Sequence, residues 1–195
     1  MQEFKSVLGI VATLLVFLGY IPYIRDIIKG KTKPHLYSWF LWGFVTLIAF
    51  ALQASDSAGT ASLVTLAAGL MCFVIIVLGF SYKSKVKITK SDTIFLILTL
   101  IALVLWLIAK QPILSAILVT LVSLLGFAPT IRKSWHKPHS ETLSFYLLNT
   151  LRFSLATFSL QKYSIITIFY PITWLVANSA FALMLVIRRK QVEES

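Results

Sequence analysis

The chain has 195 residues, 58% of them hydrophobic and only 13% charged, with a formal net charge of +11. A soluble domain carries about 25% charged residues, so the composition excludes an ordinary soluble domain and points to a lipid-embedded one. A single cysteine, Cys72, excludes an intrachain disulfide framework and a thiolate metal centre.

Charge-poor apolar runs predict seven helices, at 7–27, 36–54, 59–82, 92–109, 112–131, 141–160 and 163–188. Crossing a bilayer takes about 20 residues, and backbone in lipid must satisfy its own hydrogen bonds, so such runs read as helices. The first run is long, ends in Pro22 and Arg25, and lacks a small-residue cleavage site; it reads as a span rather than a signal peptide. In the second, Tyr37 and Trp39 read as interface anchors. Trp42 lies a turn deeper and reads as packing or as the flat wall of a pocket. The third carries Gly59, Gly69 and Gly79, which suit close helix packing or flexibility, and Cys72 as a buried small hydrophobe.

The fifth run ends as the first does. Gly19-Tyr20-Ile21-Pro22-Tyr23-Ile24-Arg25 returns 107 residues later as Gly126-Phe127-Ala128-Pro129-Thr130-Ile131-Arg132, and Lys83 matches Lys190 at the same offset. Basic loops follow, with Lys33-Pro34-His35 and Lys137-Pro138-His139. The repeat divides the chain into a first three-helix unit (1–88), a linking helix (89–111) and a second three-helix unit (112–195). Three spans end opposite their start and the fourth brings the chain back, so the halves are expected to be parallel, related by a pseudo-twofold axis along the membrane normal.

Fourteen of the 18 basic residues fall in segments 25–33, 83–90, 132–137 and 188–190, all on one side in this arrangement. The positive-inside rule then places the N-terminus extracytoplasmic and the C-terminus cytoplasmic. The basic surplus is thus a topology signal with a generic attraction to anionic lipid, and no nucleic-acid partner is implied.

A helix ending in Pro, a basic loop and a Ser-containing helix start, repeated in a three-one-three chain, resembles the PQ-loop/SWEET superfamily of membrane transporters. In the second copy Pro129-Thr130-Ile131 and Ser140-Glu141-Thr142-Leu143-Ser144 are similar to the family's Pro-Gln start and Ser-x-x-x-Ser close; the first copy has Pro22-Tyr23-Ile24 and Ser38. Tyr23 and Thr130 stand where the family has Gln, and the second and sixth spans lack its prolines. The resemblance implies alternating access with paired hinges or gates at Pro22–Tyr23 and Pro129–Thr130; a Pro near a helix end also simply closes the helix.

Arg152, in the middle of the sixth run, is the sharpest single residue, because a charge at that depth costs about 2.5–3.5 kcal/mol on insertion scales. Tyr146, Asn149 and Arg152 share a helix face, expected to look into a wet cavity. Arg152 reads as a contact to a solute carboxylate or phosphate, as a cap on backbone carbonyls, or as a residue that snorkels outward. Pro171, Trp174 and Asn178 share a face of the seventh run. The resemblance implies a pocket role for Asn178 with nearby Trp residues; an interhelical clamp is the plainer role. His35, His136 and His139 read as solvated loop residues.

No nucleophile–base pair or phosphate-cradling loop is present, so an enzyme is not expected, and no cofactor or metal is implied. The expectation is an all-α facilitator of a sugar-like or other small polar solute, with Trp42, Tyr146, Asn149, Arg152, Trp174 and Asn178 lining the pocket. The alternatives are a ligand-binding receptor or sensor, a proton-coupled amino-acid or organic-anion transporter, and an assembly subunit. The partners expected are a small-molecule substrate and the bilayer, with a homo-oligomer possible but not required.

Overall fold

A computed structural model describes residues 2–30, 34, 36–82 and 90–193. Lys31, Lys33, His35, Lys83, Lys85 and Lys87, on which the first basic loop and the orientation argument draw, lie outside the described residues, as do the side chains of Tyr37, Ser38 and Pro129. Among the described residues every regular element is helical: α1 (Gln2–Ile28), α2 (Leu36–Ser55), α3 (Ala61–Ser81), α4 (Lys90–Leu107), α5 (Pro112–Leu125), α6 (Ala128–His136), a 3-10 turn (Pro138–Ser140), α7 (Leu143–Ser159) and α8 (Ile165–Glu193).

Among the described residues, four helical stretches are long and apolar enough to cross a membrane: Gln2–Ile28, Ala61–Ser81, Pro112–His136 and Ile165–Val192. The apolar parts of α2 (Trp39–Ser55) and α4 (Leu96–Leu107) are shorter. Boundaries follow local chemistry. Gly30, at φ 69°, sits just past the end of α1, and its N–H bonds the carbonyl of Ile27 at 2.9 Å; a left-handed residue there closes a helix without a Cβ penalty. Pro112 opens α5, where its missing N–H leaves nothing unsatisfied.

The fifth predicted helix departs from expectation. It breaks at Gly126–Phe127 and resumes as α6, which ends at His136, five residues beyond the predicted end at 131. Pro129 has no N–H for the carbonyl of Leu125; the turn tightens instead, with the Phe127 N–H bonding Leu124 O at 3.0 Å. The matched prolines therefore differ locally: Pro22 lies inside the continuous α1, whereas Pro129 is the second residue of α6. At the other end of the second half, α8 runs to Glu193 rather than 188. Its basic end is held by Arg188 Nε donating to Trp135 O (3.0 Å) and Arg189 Nη2 donating to Glu141 O (2.6 Å).

Apolar side chains fill the core and also cover the outside of the bundle. Large apolar residues face outward, as with Phe4, Val7, Ile10, Leu14, Phe17 and Ile21 on α1, while the buried face of α1 is built largely from Gly9, Ala12, Val16 and Gly19. The interior also holds Thr46, Gln53, Thr65, Asn149, Arg152 and Asn178. An apolar exterior over a core that also holds small and polar residues is what lipid solvation produces, since helices then associate by close packing and hydrogen bonds. Gly69 and Gly79 of α3 lie directly against Leu47 and Leu36 of α2, which supports close packing as their role. Gly59 is not in α3; it lies in the preceding turn at φ 69°.

Helix contacts come in matched sets. Helix α3 packs against both α1 and α2, and α8 against both α5 and α7. Across the molecule α1 packs on α7 while α5 packs on α2, and α3 touches α7 as α8 touches α2. Helix α4 lies against α5 and α2.

Candidate functional site

Asn149 and Arg152 are three residues apart on α7, so both project from one face, and both are buried, at 5% and 6% exposure. The Arg152 Nε donates to Asn149 Oδ1 at 2.5 Å. Its Cζ lies 4.3 Å from the centroid of the Phe153 ring. Nη1 is buried and has no hydrogen-bond partner among the described residues. Burial at this depth removes the snorkelling reading.

Titratable groups from other helices lie within electrostatic range of the guanidinium: Tyr20 of α1, Cys72 of α3 and Tyr170 of α8. The Tyr20 hydroxyl lies 3.9 Å from Cys72 Sγ, and the Tyr170 hydroxyl shares a 3.1 Å hydrogen bond with Thr46 of α2. Groups from α1, α3 and α8 thus lie within electrostatic range of a cation carried by α7. Phenols and a thiol are neutral in their ordinary state at pH 7. Glu141, the nearest acid in sequence, accepts a hydrogen bond from Tyr146, and Asp56 is paired with Lys162.

Trp174 stacks on Phe153, their rings 6.4 Å apart at 13°, and it also meets Phe127 at 5.6 Å. Its indole Nε1 is a second buried donor without a partner. Asn178 is buried but does not clamp another helix. Its Nδ2 donates to Trp174 O at 2.7 Å, one turn back on its own helix. Trp42 is half-buried, edge-on to Trp39 at 5.6 Å. It packs at the break after α5, where a Cβ on Gly126 would come within 2.8 Å of the Trp42 Nε1. Tyr146 is drawn toward the start of α7 by its 2.9 Å hydrogen bond to Glu141 Oε2. The structure therefore brings Asn149, Arg152 and Trp174 together around Phe153, and links Trp42 and Tyr146 to them through Gly126–Phe127.

An aromatic cluster sits where α1 ends and α2 and α7 begin. Tyr20 meets Trp39 at 6.1 Å, and the positions 107 residues later, Phe127 and Tyr146, meet at 6.0 Å. Tyr23 lies 5.1 Å from Trp39 and 6.1 Å from Phe145. Trp39 is therefore a core residue covered by α1, at 7% exposure, rather than an interface anchor. Thr130, the residue matched to Tyr23, accepts a 2.8 Å hydrogen bond at its carbonyl from Ser134 Oγ.

The opposite end, where α1 begins, is closed by polar links between the α2–α3 and α7–α8 turns. Lys162 Nζ pairs with Asp56 Oδ1 at 2.5 Å, and the Ser164 hydroxyl donates to Asp56 Oδ2. The Gln161 N–H bonds Ala58 O at 3.2 Å, and Lys5 Nζ donates to Leu160 O at 2.8 Å. Burial pushes the Asp56 carboxyl up, but its hydrogen bonds from Lys162 and Ser164 outweigh this and hold it below its ordinary value.

Sequence reasoning missed Tyr20, Tyr170, Thr46 and Gln53. Thr46 and Gln53 carried a usable signal, as lone polar residues inside an apolar run. The tyrosines sit near run ends, where a phenol reads as an interface anchor. Comparison with protein-family models, curated proteins and solved structures returned no match.

Proposed function

We propose that this chain is a small-solute membrane transporter: seven spans arranged as two parallel three-helix halves joined by α4, with the N-terminus extracytoplasmic and the C-terminus cytoplasmic. The observation that carries the reading is the reciprocal packing of α1 on α7 and α5 on α2, between segments that already repeat in sequence. Two equivalent halves enclosing a polar interior can rock about a shared site, which is the logic of alternating access. The PQ-loop/SWEET resemblance fits this reading.

In this mechanism the Asp56–Lys162–Ser164 links hold one end shut and the Tyr20–Tyr23–Trp39–Phe145 cluster narrows the other. Rocking must break the first set, with Pro22 and Pro129 as hinges. Facilitation is favoured over proton coupling, since the groups facing the buried centre are phenols, a thiol and amides rather than carboxylates.

The test is uptake by proteoliposomes of neutral sugars, nucleosides, amino acids and small carboxylates, with and without a pH gradient. Saturable uptake that is lost when Asp56→Cys and Lys162→Cys are bridged by a thiol cross-linker, in a Cys72→Ser background, supports the reading. Saturable binding without uptake would assign the chain as a receptor instead.

A further inference from the structure

We propose that the solute is a small monocarboxylate, bound by the Arg152 guanidinium through Nη1, with Asn149 as the positioning residue. This rests on the transporter reading for its biological setting but not for its chemistry.

Three observations converge. First, the guanidinium is buried, and the titratable groups within its electrostatic range among the described residues are phenols and a thiol, neutral in their ordinary state. A buried charge without an opposite charge is strongly unfavourable and is retained where it has work to do. Second, its hydrogen bonding is incomplete. Asn149 occupies Nε, while Nη1 has no partner among the described residues. Arg prefers planar carboxylate and phosphate partners because its N–H fork matches them, and with Nε occupied the approach is from the Nη end.

Third, the charge balance selects among anions. One cation neutralises one negative charge. A dianionic phosphate or dicarboxylate would leave a surplus charge in the same low-dielectric interior, whereas a monocarboxylate leaves none. The guanidinium lies over Phe153, on which Trp174 stacks, and the Trp174 Nε1 is one further buried donor. These aromatic surroundings favour a solute whose remainder is apolar or flat.

The experiment is thermal unfolding of the purified full-length protein with acetate, butyrate and benzoate, each paired with its neutral amide, and with inorganic phosphate. A ligand that binds the folded state raises Tm by mass action. At least one carboxylate is expected to raise Tm saturably while its amide does not. Arg152→Gln is expected to weaken that carboxylate about 10- to 100-fold, the range for losing a hydrogen bond to a charged group. Arg152→Lys should retain part of the affinity.

Without ligand, Arg152→Gln should raise Tm, because an unpaired buried charge is removed; a structural Arg would give the opposite sign. The proposal is overturned if no carboxylate exceeds its amide, if phosphate outdoes every carboxylate, or if Arg152→Gln binds as wild type. Should Arg152→Gln fail to fold, Asn149→Ala keeps the charge and must still weaken the carboxylate. A carboxylate that binds but is not moved into liposomes leaves this inference standing and removes the transporter reading. Uptake of a neutral solute with every carboxylate silent does the reverse.

Discussion

Gln53 of α2 donates from Nε2 to the carbonyl oxygen of Thr167 in α8, at 3.4 Å. In an unbroken helix that carbonyl would accept from residue 171, which is proline and has no N–H. The Gln53 Oε1 in turn accepts from Thr65 Oγ1 of α3 at 2.7 Å. One amide, 2% exposed, therefore repairs the helix interruption and ties three helices together.

Gln53→Leu leaves the Thr167 carbonyl and the Thr65 hydroxyl without this partner. The expected loss is about 1–2 kcal/mol, since polar contacts between membrane helices contribute modestly. Combining it with Pro171→Ala, which restores the N–H, should make the Gln53 substitution cheaper by a measurable coupling energy in a double-mutant cycle. Strict additivity would sink the repair role.

The Asp56 carboxyl has its folded-state pKa lowered, so it stabilises the fold where the unfolded carboxylate is also ionised, and that contribution is lost as pH falls through the folded value. Wild-type Tm should exceed that of Asp56→Asn above about pH 5, where an ordinary Asp is ionised. The gap should close on further acidification. A gap independent of pH would show that the Lys162 and Ser164 contacts do not depend on the charge.

Gly126→Ala places a methyl within 2.8 Å of the Trp42 indole nitrogen, closer than real side chains come. Overpacking of this kind costs about 1–3 kcal/mol. Tm should fall and Trp42 fluorescence should shift; Trp42→Leu in the same chain should restore most of the loss. The equivalent Gly19→Ala, whose Cβ would sit 3.8 Å from Leu148, should be nearly neutral.

Arg189 donates to both Pro138 O (3.2 Å) and Glu141 O (2.6 Å), spanning the short turn before α7. Arg189→Ala should accelerate amide hydrogen exchange in residues 139–142 while leaving the centre of α7 protected. Unchanged exchange in the turn would mean that backbone geometry alone holds it.

The legible part of the site was Arg152 itself. A charge inside an apolar run is visible in one dimension, and three-residue spacing made Asn149 and Tyr146 its neighbours. Its surroundings were not legible. Tyr20, Cys72 and Tyr170 come from three other helices, and nothing local to those residues says which way they turn. Asn178 shows the same limit: its position suggested a reach across helices, but its amide folds back on Trp174.

By itself the amino-acid sequence determined the helical character, most of the helix positions, the internal repeat and the asymmetric placement of basic residues. These depend on composition and spacing along the chain, and the solvent acts on them locally. Only the tertiary structure decided which groups surround Arg152, that Trp39 is core, that Gln53 serves Pro171, and that the helix ending at Pro129 breaks while the one holding Pro22 does not. In helices apolar on nearly every side, rotation and depth are set by close packing and by a few hydrogen bonds between distant segments. No one-dimensional pattern records those.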